Sequence, residues 1–159
     1  MYLTNLFGSI ILEEIIMSEK KEMDEYNELI QELSEKWDVQ NLLSFNEMDI
    51  QEKLSINSAK VWHFTELYNK EKNVYDMMCE MKDNVICKRY EHYKTNANLL
   101  LKQSEIEKYY LPKDPEIVKI TTLVRKQKWR VDFYLGLKQA LEKQGWAMHN
   151  FLLSMKAGL

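Results

Sequence analysis

Leu111-Pro112-Lys113-Asp114-Pro115-Glu116 is the stretch whose reading decides the fold, because it holds both prolines of a 159-residue chain that contains only four glycines. Asp114 reads as an N-cap, Pro115 as a first helical residue whose φ is already set, and Glu116 as a carboxylate that complements the helix dipole. A helix should run from here to about Lys156, close to 60 Å at 1.5 Å per residue. Upstream, no Gly or Pro occurs from Asn57 to Leu111. One helix of about 45 residues, interrupted or not, is therefore expected there, capped by Asn57 or Ser58. Val61, Phe64, Leu67, Tyr68, Val74, Tyr75, Met78, Met81 and Val85 recur at three and four and form its packing face.

The expected fold is all-α: a long antiparallel helical hairpin preceded by a shorter acidic N-terminal helix and assembling into a homo-oligomer. Residues 1–25 read as an N-terminal extension, 26–112 as an N-terminal helical part and 113–159 as a C-terminal oligomerisation helix. The assembly expectation comes from two apolar tracks on the last helix. One is Ile117, Ile120, Val124, Val131 and Leu135; the other is Trp129, Phe133, Leu137, Leu141, Met148 and Leu152. Two tracks exceed what one antiparallel neighbour covers, so the second is assigned to a subunit interface, with a large intramolecular core as the alternative. Gly136 and Gly145 each cost about 1 kcal/mol inside a helix, and close approach of another backbone is the expected compensation.

Charge is unevenly spread. Residues 1–57 hold 13 acids and 4 bases, whereas residues 58–159 hold 12 acids and 18 bases. A basic two-thirds beside an acidic arm suits a protein that touches nucleic acid and a basic partner separately. Ile10-Ile11-Leu12 and Ile15-Ile16 lack the charged start and cleavage site of a signal peptide. Glu13-Glu14, encoded by purine-rich codons just before Met17, resembles a translated ribosome-binding site. The natural start is accordingly expected at Met17, or else at Met23.

Several chemistries lack their residues. Cys79 and Cys87 read as reduced thiols without paired CxxC spacing, and His63, His92 and His149 have no ligand-spaced partner, so no metal and no cofactor is expected. There is no phosphate loop, no nucleophile elbow and no apolar run of membrane-spanning length, and the expected protein is not an enzyme and not a membrane protein. What stands out is Asn84-Val85-Ile86-Cys87-Lys88-Arg89-Tyr90-Glu91-His92-Tyr93-Lys94, where the apolar stripe lapses and cations alternate with rings. Cations neutralise phosphates and rings stack on any base, which is what single-stranded nucleic acid requires. Lys82, Lys88, Arg89, His92, Tyr93 and Lys94 are the candidate nucleic-acid contacts; a solvated helix face is the plain alternative.

Trp129-Arg130-Val131-Asp132-Phe133-Tyr134, then Leu137, Ala140-Leu141, Lys143 and Gly145-Trp146-Ala147-Met148-His149, resembles the C-terminal helix of the phage UvsY recombination mediators. Ser104-Glu105-Ile106, Asp114 and Val118-Lys119 resemble the segment leading into it. The stretch from Ile86 to Tyr93 is similar to that family's DNA-binding motif, Leu-Lys-Ala-Arg-Leu-Asp-Tyr-Tyr, with Ile86, Arg89, Glu91 and Tyr93 matching in kind. Cys87 replaces the motif's first Lys, with Lys88 one position later, and His92 replaces its first Tyr. A one-residue move turns a side chain by about 100° around a helix. The resemblance spans residues 27–159. It implies a non-enzymatic accessory protein, acting in the cytoplasm of an infected bacterial host, that binds single-stranded DNA. It further implies a RecA-like recombinase and a single-strand binding protein as partners, and a homo-oligomeric ring of about six or seven subunits built on the C-terminal helix. A structural helical oligomer or adaptor with no nucleic-acid role is the alternative.

Overall fold

The computed structural model describes residues 3–96 and 101–158, with side chains from Ile16 onward. The described residues are helical almost throughout and contain no strand. The chain divides into two compact units, residues 1–45 and 46–159.

The first unit holds α1 (Leu3–Lys36) and α2 (Val39–Leu43). Asp38 separates them in the left-handed conformation at φ 43°, a state that Asp tolerates better than most residues. The acidic residues expected on this arm, such as Glu19, Glu28, Glu32 and Glu35, are exposed along α1.

The second unit is built on α3 (Ile50–Asn96) and α5 (Pro115–Ala157). Helix α3 begins seven residues earlier than Asn57. Asn46 Oδ1 accepts from the amides of Met48 and Asp49, and Asp49 Oδ1 accepts from the Asn46 amide at 2.7 Å. This reciprocal pair satisfies the amides that a helix start leaves orphaned. Asn57 is instead inside the helix and buried, its Nδ2 donating to the Leu141 carbonyl at 3.2 Å. Ser58 beside it is exposed. Between Asn57 and Leu111, where one helix, interrupted or not, is expected, α3 runs to Asn96 and is followed by a three-residue α4 (Gln103–Glu105), a π-helical turn at Ile106–Tyr110 and a 3-10 turn at Leu111–Lys113. The return of the apolar stripe at Leu99-Leu100 lies outside the described residues; Leu101 is half-buried.

Asp114 caps α5 as the sequence requires, its Oδ1 accepting from the amides of Glu116 at 2.9 Å and Ile117 at 3.3 Å, with Pro115 in the first turn. At the other end Gly158 closes the helix at φ 69°. Helices α3 and α5 run antiparallel: hydrogen bonds join Asn57 to Leu141, Glu71 to Gln127 and Arg89 to Asp114, so position advances along one as it recedes along the other.

The buried residues of α5 are Ile117, Val124, Gln127, Val131, Tyr134, Leu137, Leu141, Gln144 and Met148. Their steps of three, four and seven, with two consecutive threes at Val131–Tyr134–Leu137, trace one seam with a period close to 3.5. A straight helix drifts by about 20° per heptad against that period, so a seam starting on one track ends on the other. Ile117, Val124 and Val131 come from the first apolar track, Leu137, Leu141 and Met148 from the second. The two tracks are thus largely successive parts of one intramolecular seam. On α3 an alternation of four and three passes through Ile50, Leu54, Asn57, Val61, Phe64, Tyr68, Glu71, Tyr75, Met78, Lys82, Val85 and Arg89, all buried or half-buried.

Polar side chains inside the seam are bonded across it. Gln127 Nε2 donates to the Glu71 carbonyl at 2.9 Å and to its carboxylate at 2.6 Å. At Gly145 the expected close approach is realised by a side chain: a Cβ there would overlap Asn57 Nδ2. Omitting that Cβ lets the Asn57 amide reach the backbone of α5. Gly136 has nothing within 4 Å of a would-be Cβ and is exposed, so no approach within the chain compensates it.

Candidate nucleic-acid interface

Periodicity sorts the basic-aromatic segment of α3 into two sets. Lys82 and Arg89 occupy seam positions and are half-buried. Lys88 and His92 lie four residues apart on one exposed face, and Lys94, also exposed, is about 120° around the helix from Lys88. The structure therefore does not gather the six candidate residues into one patch.

Arg89 and Tyr93 converge on the Asp114 carboxylate. Arg89 Nε donates to Asp114 Oδ2 at 2.7 Å, and the Tyr93 hydroxyl donates to the same oxygen at 2.7 Å. With the two backbone amides on Oδ1, the carboxylate accepts four hydrogen bonds while its side chain is fully buried. Burial pushes the Asp114 carboxyl up, but the hydrogen bonds from Tyr93, Arg89, Ile117 and Glu116 outweigh it and hold the group below its ordinary value. The Arg89 guanidinium is raised in turn, chiefly by its hydrogen bond to Asp114. Arg89 also lies over the Tyr93 ring at 5.4 Å, and Tyr93 meets Tyr110 at 5.4 Å between ring centroids.

The apolar stripe lapses at Lys88 because the seam changes chemistry there. It continues as a charged and hydrogen-bonded clamp that ties the end of α3 to the first turn of α5. A single oxygen, Asp114 Oδ2, holds two side chains four residues apart, so the clamp fixes the azimuth of α3 and hence which residues face outward. Lys88, His92 and Lys94 face solvent on either side of it.

The connection adds residues that the sequence reading passed over. Lys108, Tyr109, Tyr110 and Lys113 are exposed, Tyr109 by 55%, and Lys108 Nζ stands 5.4 Å from the Tyr109 ring centroid. The Tyr93–Tyr110 contact brings this segment to the clamped end of α3. The signal was the run Lys108-Tyr109-Tyr110, the same cation-ring alternation on a shorter scale. Carboxylates are interspersed: Glu91, Glu107 and Glu116 are also exposed, and Arg89 Nη1 is 3.9 Å from Glu116 Oε1.

Of the six residues assigned to a subunit interface, Leu137, Leu141 and Met148 are buried by the chain itself, Leu141 and Met148 completely. Trp129, Phe133 and Leu152 are half-buried. Large apolar side chains do remain exposed, on α3 at Trp62, Val74, Met77 and Met81 and on α5 at Val118, Leu123, Trp146 and Leu153. Val74, Met77 and Met81 share the outer face of α3 with Lys88 and His92.

Among the described residues no group of His, Cys, Asp and Glu is arranged to hold a metal, and no helix is long and apolar enough to cross a membrane. No protein-family model, curated protein or solved structure matches the chain.

Proposed function

We propose that this protein is a non-enzymatic recombination mediator that binds single-stranded DNA and helps load a RecA-like recombinase onto DNA covered by single-strand binding protein. The observation that carries the reading is the clamped end of the unit, where exposed Lys88, His92, Lys94, Lys108, Tyr109 and Lys113 supply cations and rings on a rigid frame. The resemblance of residues 86–93 and 129–149 to the phage UvsY mediators supports the same reading, and implies the cytoplasm of an infected bacterial host as the location.

In this mechanism Lys88, Lys94, Lys108 and Lys113 neutralise phosphates, while Tyr109 and His92 stack on bases. Arg89 and Tyr93 serve as positioning residues through Asp114. The long α3–α5 hairpin is one subunit of a homo-oligomeric ring, with Trp129, Phe133 and Leu152 contributing to the contact between copies. A ring multiplies weak sites into high effective concentration while each remains exchangeable, which suits a protein that must loosen one coat on DNA and admit another.

Fluorescence anisotropy with an oligo-dT probe in a salt series tests the reading. Affinity should fall linearly in log K against log salt, with a slope of about −0.7 per neutralised phosphate. Absence of salt-sensitive binding would leave the alternative, a structural helical oligomer or adaptor, to which the exposed apolar face of Val74, Met77 and Met81 lends itself.

A further inference from the structure

Far from the clamp, where the first turns of α3 meet the last third of α5, a cavity of about 350 Å³ opens beside Gly145. Ser58 and Asn57 of α3 and Glu142, Trp146 and His149 of α5 line it. The volume falls within the range of small-ligand and side-chain pockets. Trp146 is 71% exposed, far more than a large ring left to pack for stability. Glu142 precedes it by four residues and His149 follows by three, so all three lie on one face of α5.

The polar inventory is one-sided. Glu142 is acceptor-only and pairs with Lys138, one turn back on the same helix, at 3.6 Å. Asn57 is 8% exposed, and its amide nitrogen is spent on the Leu141 carbonyl while Oδ1 has no hydrogen-bond partner among the described residues. Acceptors predominate, since Ser58 and His149 can each accept as well as donate. No lysine or arginine lines the cavity. A ligand that fits must be rich in donors, planar enough to lie on an indole and tolerant of a carboxylate.

We propose that this cavity receives the guanidinium of an arginine side chain presented by a partner protein. Guanidinium is planar, carries five donors and no acceptor, stacks on aromatic faces and pairs with carboxylate in a fork. Trp146 supplies the face, Glu142 the counter-charge, and Ser58 and His149 further acceptors. An ammonium matches the charge without the plane. A nucleobase matches the plane, but arrives on a phosphate chain that Glu142 repels. The pocket is thus a protein-docking feature, and it stands independently of DNA binding at the clamped end.

The test titrates N-acetyl-L-arginine amide into the full chain, reading tryptophan fluorescence in the parent and in Trp146→Phe to assign the signal to Trp146. A saturable change in the parent that disappears in Trp146→Phe is expected. Glu142→Gln should weaken binding about five-fold, the loss of one partly solvated charge-assisted contact. It should leave the melting temperature unchanged, because the exposed Lys138 pair contributes little. N-acetyl-L-lysine amide should bind several-fold more weakly than the arginine probe. The proposal is overturned if no saturable change occurs, if Glu142→Gln binds the arginine probe as the parent does, or if cytidine binds more tightly than the arginine probe and so marks a base subsite.

Discussion

Replacing Tyr93 with Phe removes one hydroxyl and keeps the ring, so it separates the clamp from any stacking role. The hydroxyl donates to Asp114 Oδ2 at 2.7 Å, and Asp114 is only 1% exposed. Hydrogen bonds to charged groups contribute about 1.5–3 kcal/mol. Arg89 and two amides remain on the carboxylate, which points to the lower half of that range, about 1.5–2 kcal/mol. For a chain of this length that lowers the melting temperature by roughly 3–8 °C. Far-UV circular dichroism melts of parent and variant measure it. The pH dependence has a definite sign. Asp114 is depressed in the folded state below its ordinary value of 3.8, so its contribution is present above that value and is lost as pH falls through the folded-state value. The gap between the two melts should therefore be full at neutral pH and shrink in acid. Oligo-dT affinity should stay near the parent level, since Arg89 and two amides still hold Asp114 and the phenylalanine ring keeps the Tyr110 contact. Equal melting temperatures at neutral pH would refute the clamp; a gap that persists unchanged in acid would show that the hydroxyl acts through packing and not through Asp114.

Gly136→Ala should raise stability by up to about 1 kcal/mol from helix propensity, whereas Gly145→Ala should lower it by driving the new methyl into Asn57; denaturant titrations of both decide, and equal effects would refute the assignment of Asn57. Leu137→Asp with Leu141→Asp should abolish cooperative folding, because both leucines lie in the intramolecular seam; sedimentation that instead showed well-folded monomers would make them interface residues. Lys88→Ala with Lys94→Ala should reduce the salt slope of oligo-dT binding by about 1.4 and leave the melt unchanged. Tyr109→Ala should weaken binding by about 1–3 kcal/mol at every salt concentration without altering the slope.

How much of this was legible in the sequence depends on whether a feature is local. The start of α5 was, because Asp114, Pro115 and Glu116 act on amides one to three residues away. The long helices were, because scarcity of Gly and Pro needs no partner to be read. The start of α3 was equally local, in Asn46 and Asp49, but Asn57 offered a competing cap nearer the strongly periodic region. What Asn57 does depends on Gly145, 88 positions away, and no spacing rule connects them.

The seam explains the larger displacement. Sorting apolar residues at ideal helical spacing splits a 3.5-residue seam into two tracks, and the surplus track then looks like an interface. Sorting by apolarity also drops the seam's polar members, Glu71, Gln127, Arg89 and Asn57, although each is bonded across it. Arg89 shows why the distinction matters for function. An arginine beside a tyrosine on a helix has the same sequence signature whether its partner is a phosphate or a buried carboxylate, since both are oxyanions that accept from the same fork. Only the partner's position decides, and here Asp114 occupies the place that a phosphate would take. Cations for a nucleic acid must then come from residues off the seam, and the alternation that buries Arg89 is what turns Lys88 outward. The same heptad register thus divides adjacent residues between holding the frame and meeting a ligand.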